Sequence, residues 1–295
     1  MTQQKIGFIG LGLMGAAMVD RLLDKGYELT VMGNKSRPRI DKAISRGAVE
    51  AASAKDLAEK SDIIMLCMDT SQSVESRMFG DDGVLAGLRE GSVVIDFGTS
   101  LPSSTKMLGE KVAEKGGQYL DGPLGRTPSH ALEGKLNIMT SGDEAAFNSI
   151  KSVLEDLGEN VFFLGELATG HTIKLINNFF AMTTASAMSE AFVMADKAGV
   201  DRQKVYDVMS AGPVHSMMMD FVKAYAIEGN PENLAFAIKN ASKDVGYYGQ
   251  MADDLGVESI MSKSARTALT SAIDEGMGDN LVPEMVNFFE KKFNS

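Results

Sequence analysis

Three clusters of residues in this chain have the types and spacing that chemistry needs. The first is Lys174 with Asn178, four residues apart inside residues 169–199, a proline-free run that repeats small and apolar residues at helical spacing. On a helix this spacing puts the amine and the amide on one face, one turn apart. Two polar groups facing the same way on an apolar helix need partners, and a ligand can be one. The second cluster is Gly10-Leu11-Gly12-Leu13-Met14-Gly15, directly after the apolar run 5–9. Gly10 permits a tight turn, Gly12 lets the backbone approach a pyrophosphate, and Gly15 lets the next helix pack closely on the strand. The N–H groups at the start of that helix, with the positive end of its dipole, would stabilise the phosphates. The third cluster is Asn34-Lys35-Ser36-Arg37, after the second strand, with no carboxylate before Asp41. A carboxylate there would bond a ribose 2′-hydroxyl, whereas two cations, a hydroxyl and an amide fit a 2′-phosphate. The expected cofactor is therefore NADP(H), with NAD(H) second. An exposed polar turn ahead of Pro38 is the rival reading of this segment.

The surrounding elements are of the kind that would hold these clusters in place. Residues 5–9, 28–32, 62–68, 92–97, 118–121, 136–140 and 161–164 read as strands, and 16–25, 54–59, 103–115 and 144–157 as helices. Alternation of this sort implies a mostly parallel, doubly wound sheet, whose ligands bind at the carboxyl ends of the strands. Gly98-Thr99-Ser100 follows one such end. Residues 169–199 read as one helix about 40 Å long at 1.5 Å per residue, nearly apolar all round and therefore expected to be buried. Thr169 is its expected N-cap and Gly199 its C′ residue. After it, 201–210, 216–226, 235–255 and 259–275 are helical in pattern, with no convincing strand. The fold class is thus α/β, an N-terminal Rossmann-type doubly wound sheet in residues 1–165. An all-α C-terminal domain in 166–295 follows, joined by the long helix.

Bulk composition narrows the functions. A net charge of −11 argues against nucleic acid as a partner, but leaves room for a local basic pocket and a small anionic ligand. The single cysteine, Cys67, ends an apolar run and reads as a buried structural thiol. No histidine or carboxylate cluster has metal-ligand spacing, so no metal is expected. No run is long and apolar enough to span a bilayer and no signal peptide is visible, so the expectation is a cytoplasmic protein without a membrane partner.

With these pieces assembled, the chain resembles the β-hydroxyacid dehydrogenase family over essentially its whole length. The resemblance is carried by Gly7-Phe8-Ile9-Gly10-Leu11-Gly12-Leu13-Met14-Gly15 and by Asp96-Phe97-Gly98-Thr99-Ser100-Leu101-Pro102. It continues in Gly170-His171-Thr172-Ile173-Lys174-Leu175-Ile176-Asn177-Asn178 and in Phe236 with Lys243-Asp244. It implies that Lys174 is the general acid/base, that Asn178 orients it and the substrate, and that Thr99 lies near the nicotinamide ribose. Lys243 would be a cationic clamp near substrate and cofactor, although an exposed helix lysine is the rival reading. A lysine in a dry cleft gives up its proton more readily than one in water, which suits the role.

One motif departs from the family. Where most members have Ser-Gly-Gly to hold a substrate carboxylate, this chain has Gly125-Arg126-Thr127. An arginine beside a hydroxyl offers more donors and suits a three-oxygen anion. Sulfolactaldehyde reductases, a branch of the family, resemble the chain here, although Pro128 and His130 do not belong to the expected pattern. The expected substrate is therefore a small anionic aldehyde, sulfolactaldehyde first and a carboxylate semialdehyde second. A non-catalytic NADP(H) sensor or scaffold is the alternative, disfavoured by the presence of both Lys174 and Asn178. Imine reductases usually replace this lysine, and 6-phosphogluconate dehydrogenases have a longer helical domain. His171 and His215 receive no role, and Met217-Met218-Met219 reads as core. Ala181, Ala185, Ala191 and Ala195 would permit close helix approach, and the resemblance implies a homodimer or homotetramer.

Overall fold

The computed structural model describes residues 4–33 and 37–294. By internal contacts the chain divides into two units, Met1–Lys174 and Leu175–Ser295.

The first unit is built on β1 (Ile6–Ile9), α1 (Leu13–Asp24), β2 (Leu29–Met32), α2 (Arg37–Ser45), β3 (Val49–Glu50), α3 (Ala54–Glu59) and β4 (Ile63–Leu66). It continues with α4 (Ser71–Met78), α5 (Val84–Gly87), β5 (Val93–Asp96), α6 (Pro102–Ala113) and β6 (Gln118–Asp121). Among the described residues the sheet has nine strands, of which β3-β2-β1-β4-β5-β6 are all parallel, the order of a dinucleotide-binding sheet. Helices cover both faces of such a sheet, so β1, β4 and β5 are buried at every position and read as unbroken apolar runs rather than alternating ones.

Beyond β6 the direction changes. β7 (Leu124–Gly125), α7 (Pro128–Leu132), β8 (Leu136–Gly142), α8 (Glu144–Leu157) and β9 (Gly158–Phe163) form the far edge. β8 is antiparallel to both β6 and β7, while β9 joins it parallel. The helix α8 is amphipathic and packs Phe147, Ile150, Val153 and Leu154 into the core of this unit.

The long helix α9 runs from Thr169 to Lys197. The expected N-cap is not what holds its start. The fully buried Asp121 accepts hydrogen bonds from the N–H groups of Ala168 (2.8 Å) and His171 (2.7 Å), and Ser141 Oγ accepts from Gly170 N–H (2.9 Å). The first turn is therefore capped by the sheet, from residues distant in sequence. The other end follows the expectation. Gly199, at φ +72°, sits in the left-handed region, with Gly199 N–H on Asp196 C=O and Val200 N–H on Ala195 C=O, the Schellman arrangement.

The second unit contains the rest of α9 with α10 (Arg202–Ser210), α11 (Met217–Ala226), α12 (Ile238–Asp254), α13 (Ile260–Ala272) and α14 (Met285–Asn294). Its core gathers Ala185, Phe192, Val222, Val245, Leu269 and Phe289. The small-residue face of α9 serves this core through Ala185, which is buried in it, and Ala181 and Ala191, which pack against it; Ala195 is buried as well. Within the chain, however, α9 is not covered all round. Phe180 is 71% exposed, and Ile176 and Met194 are each about half exposed.

The capped start of α9 makes a prediction that runs against helix propensity. Alanine is ordinarily better than glycine inside a helix by about 1 kcal/mol. A Cβ on Gly170, however, would lie 2.1 Å from Met139 O and 2.7 Å from Asp121 Oδ2, a clash with backbone and with the cap itself. Gly170→Ala should therefore lower stability by about 1–3 kcal/mol, read as a fall in the urea midpoint against wild type.

Candidate functional site

The glycine turn lies where the strand order reverses, between β1 and β4, the place at which such sheets open a crevice. Gly10 has φ +101°, and a Cβ there would lie 2.4 Å from Cys67 O. A Cβ on Gly15 would lie 2.0 Å from Gly10 O and 3.0 Å from the Phe8 ring, so α1 packs on β1 only because it is absent. Gly12 differs from both. Nothing stands within 4 Å of its missing Cβ, and as N-cap of α1 it contributes no side-chain cap. The backbone there is open to a ligand, and the first helical N–H groups carry the positive end of the α1 dipole. Leu13 is exposed, while Leu11 and Gly15 are buried. This arrangement fits a dinucleotide pyrophosphate.

Of the expected 2′-phosphate cluster, Asn34, Lys35 and Ser36 lie outside the described residues. Arg37 starts α2, and its guanidinium pairs with Glu50 (2.6 Å) and Asp41 (2.7 Å). Their hydrogen bonds, Glu50's first, raise its already high proton affinity. Glu50 belongs to the two-residue strand β3, too short to stand out in the sequence.

The carboxyl ends of β5 and β6 carry a pair of buried carboxylates. Asp96 and Asp121 are register partners on adjacent strands, exposed by no more than 1%. Asp96 accepts from Gly98 N–H (2.8 Å) and Ser100 Oγ (2.7 Å), fixing the turn that contains Thr99. Asp121 accepts from Ser141 Oγ and the two N–H groups at the start of α9. His171 lies beside both carboxylates, fully buried, with Nε2 3.7 Å from Asp96 Oδ2 and Nδ1 2.7 Å from Thr105 Oγ1. Sequence reasoning gave His171 no role because its partners come from β5, β6 and α6, each at least 50 residues away. Burial and the nearby Asp96 push the Cys67 thiol up to about 12, and burial pushes the Tyr119 hydroxyl up as well.

Lys174 is half-buried on the second turn of α9 and is the last residue of the first unit. Asn178, one turn further along α9, lies in the second unit and is buried. Its Nδ2 donates to Asp244 Oδ2 (2.6 Å), and its Oδ1 accepts from Asn177 Nδ2 (3.0 Å). In the sequence Asp244 is only part of a motif; in the structure it is the residue that fixes Asn178. It is 3% exposed, and its other oxygen faces Lys243 Nζ at 3.0 Å. Lys243 also lies 5.1 Å above the Tyr247 ring.

Gly125 ends β7, and Arg126 follows with φ +76°, a conformation uncommon for a residue with a Cβ. Arg126 Nη1 donates to Lys135 C=O (2.7 Å) and to Glu159 (2.5 Å). Thr127 Oγ1 lies 2.7 Å from both Ser129 Oγ and His130 Nδ1. His215, the third histidine, meets Asp220 at 2.9 Å. Among the described residues there is no group of three or more His, Cys, Asp or Glu that could hold a metal, and no helix long and apolar enough to cross a membrane.

Comparison with known proteins places these features in a family. A family model described as the NAD binding domain of 6-phosphogluconate dehydrogenase matches residues 5–165. Another, described as NAD-binding of NADP-dependent 3-hydroxyisobutyrate dehydrogenase, matches residues 168–289. The chain is 34% identical to 2-hydroxy-3-oxopropionate reductase of Escherichia coli (strain K12) over 255 residues, 86% of each chain. It is 29% identical to glyoxylate/succinic semialdehyde reductase 1 of Arabidopsis thaliana, over 96% of this chain and 99% of that one. In fold it is similar to the 3-hydroxyisobutyrate dehydrogenase of Mycobacterium tuberculosis, solved with L-serine. There the TM-score is 0.84 at 22% identity, over 97% of this chain and 99% of the other.

The raised thiol gives a pH prediction. An unfolded cysteine deprotonates near 9, whereas Cys67 in the folded chain holds its proton to about 12. Between those values the unfolded state binds fewer protons, so stability present below pH 9 is lost as pH rises through that window. Urea midpoints should fall from pH 9 upward, and Cys67→Ala should fall less steeply.

Proposed function

The chain belongs to the β-hydroxyacid dehydrogenase family and is an NAD(P)-dependent oxidoreductase, and we propose that it interconverts a short anionic aldehyde and its hydroxy acid with NADP(H) preferred. The observation that carries this reading is the double hold on α9. The buried Asp121 and Ser141 fix its first turn, just before Lys174, and Asp244 fixes Asn178, one turn after it. An acid/base held on a rigid helix is pre-positioned for proton transfer.

Bound nicotinamide supplies or accepts the hydride. Lys174 donates a proton to the carbonyl oxygen in reduction and takes the hydroxyl proton in oxidation. Asn178, with its amide oriented by Asp244, keeps the lysine and the substrate oxygen in line. The Thr99 turn, held by Asp96, and Lys243 are the further contacts to cofactor and substrate. The turn over 10–15 holds the pyrophosphate, and Arg37 with Asn34, Lys35 and Ser36 holds the 2′-phosphate. Residues 1–165 serve as the cofactor domain and 166–295 as the substrate and oligomerisation domain. The exposed apolar residues Ile176, Phe180 and Met194 support a homodimer or homotetramer.

The substrate anion falls to Gly125, Arg126 and Thr127. Arginine's planar fork suits a three-oxygen group, which supports sulfolactaldehyde. A carboxylate semialdehyde is the second reading, favoured by the relatives named for 2-hydroxy-3-oxopropionate and for glyoxylate and succinic semialdehyde.

NADPH oxidation followed against sulfolactaldehyde, succinic semialdehyde, tartronate semialdehyde and glyoxylate tests the reading. Lys174→Ala should lower kcat by roughly 10²- to 10⁴-fold with little change in NADPH affinity; activity that survives the substitution removes Lys174 from the chemistry. Arg37→Ala should weaken NADPH binding by roughly tenfold or more and leave NADH unaffected. Equal effects on both cofactors would argue against a 2′-phosphate contact.

A further inference from the structure

Arg126 does not stand alone. Its Nη1 serves two acceptors at once, the Lys135 carbonyl and the Glu159 carboxylate, and among the described residues its Nε and Nη2 have no partner. That remaining edge is the one with parallel N–H groups, the side that takes two oxygens of an oxyanion. The Arg126 side chain is 29% exposed, so part of it reaches solvent. The backbone at φ +76° fixes where the side chain leaves the turn, and β8 and β9 carry Lys135's neighbours and Glu159 beside it.

Charge completes the picture. Glu159 neutralises Arg126, and the adjacent Lys135 is matched by Glu133 at 2.7 Å. The two cations and two carboxylates of this corner sum to zero. An arginine site meant for a doubly charged anion would gather further uncompensated cations. This one offers directional donors without net charge, and it sets a carboxylate near the place where the ligand's anion would lie.

We propose that Glu159 is a specificity-determining residue: it orients the free edge of Arg126 for a singly charged oxyanion and repels a dianion. The ligand class it admits is a sulfonate or carboxylate, and the class it rejects is a phosphate monoester of similar size. This inference rests on the proposed role of Arg126 as the anion contact. An oxyanion on the Nε/Nη2 edge would sit roughly 6 Å from the Glu159 carboxylate, where one additional negative charge costs roughly a tenfold factor in a partly screened site.

The test compares two aldehydes that differ in the anion and one bridging oxygen, sulfolactaldehyde and glyceraldehyde 3-phosphate, at pH 8, where the phosphate is doubly charged. Wild type, Glu159→Gln, Glu159→Ala and Arg126→Ala are assayed with NADPH. Glu159→Gln keeps an acceptor for Nη1 and removes only the charge. It should raise kcat/KM for the phosphate relative to the sulfonate by roughly tenfold, through KM with kcat little changed, and Glu159→Ala should shift the ratio the same way. A general structural role would alter both substrates by the same factor, and that outcome overturns the inference. Arg126→Ala separates the two levels. If it raises KM for sulfolactaldehyde while Glu159→Gln leaves the ratio unmoved, the anion contact stands and only the role of Glu159 falls. If Arg126→Ala leaves KM unchanged, the anion contact falls and the role of Glu159 falls with it.

Discussion

Two buried carboxylates at the ends of neighbouring strands are the constraint on which the rest of the first unit depends. A carboxylate removed from water is costly unless its oxygens are saturated with donors. Asp96 meets that demand with the Gly98 N–H and the Ser100 hydroxyl, and Asp121 with Ser141 and the opening N–H groups of α9. The same bonds that make the charges tolerable fix two segments that the proposed chemistry would use, the Thr99 turn and the start of the lysine-bearing helix. His171 fills the space beside both, hydrogen-bonded through Nδ1 to Thr105 of α6, with its Nε2 3.7 Å from Asp96. In the second unit Asp244 repeats the device, a buried carboxylate whose partner is Asn178.

The glycine turn works by the opposite means, through atoms that are missing. Two of its glycines are required by contacts inside the protein, Gly10 against Cys67 and Gly15 against Gly10 and Phe8. Gly12 meets no such contact. The protein itself gives no steric reason for a glycine there, so the reason is sought in what approaches from outside. Folding constraint and ligand constraint are thereby separated within six residues of chain.

Much of this was legible in the sequence, and the pattern of success is physical. The helices over 54–59 and 144–157 match their sequence-based bounds because each has a local cap, Ser53 and Asp143, and the strand over 118–121 matches its bounds too. The Schellman end at Gly199 was legible for the same reason. Interactions that close over long separations were not. The cap of α9 comes from Asp121 and Ser141, the hold on Asn178 from Asp244, and the partner of Arg126 from Glu159. The strands β3 and β7, of two residues each, are too short to show a period, and α14 was not anticipated. The apolar circumference of α9 implies complete burial, yet Ile176 and Phe180 stay largely exposed in the chain taken by itself.

Cys67 carries a consequence of a different kind. Peroxides and disulfides react with a thiolate, and a thiol with its proton affinity raised to about 12 by burial and the nearby Asp96 supplies almost none at neutral pH. It is also the single cysteine of the chain. The folded protein therefore offers oxidants a protonated thiol rather than a thiolate at this position. Disulfide exchange and peroxide oxidation at Cys67 should accordingly be slow beside those of a free cysteine.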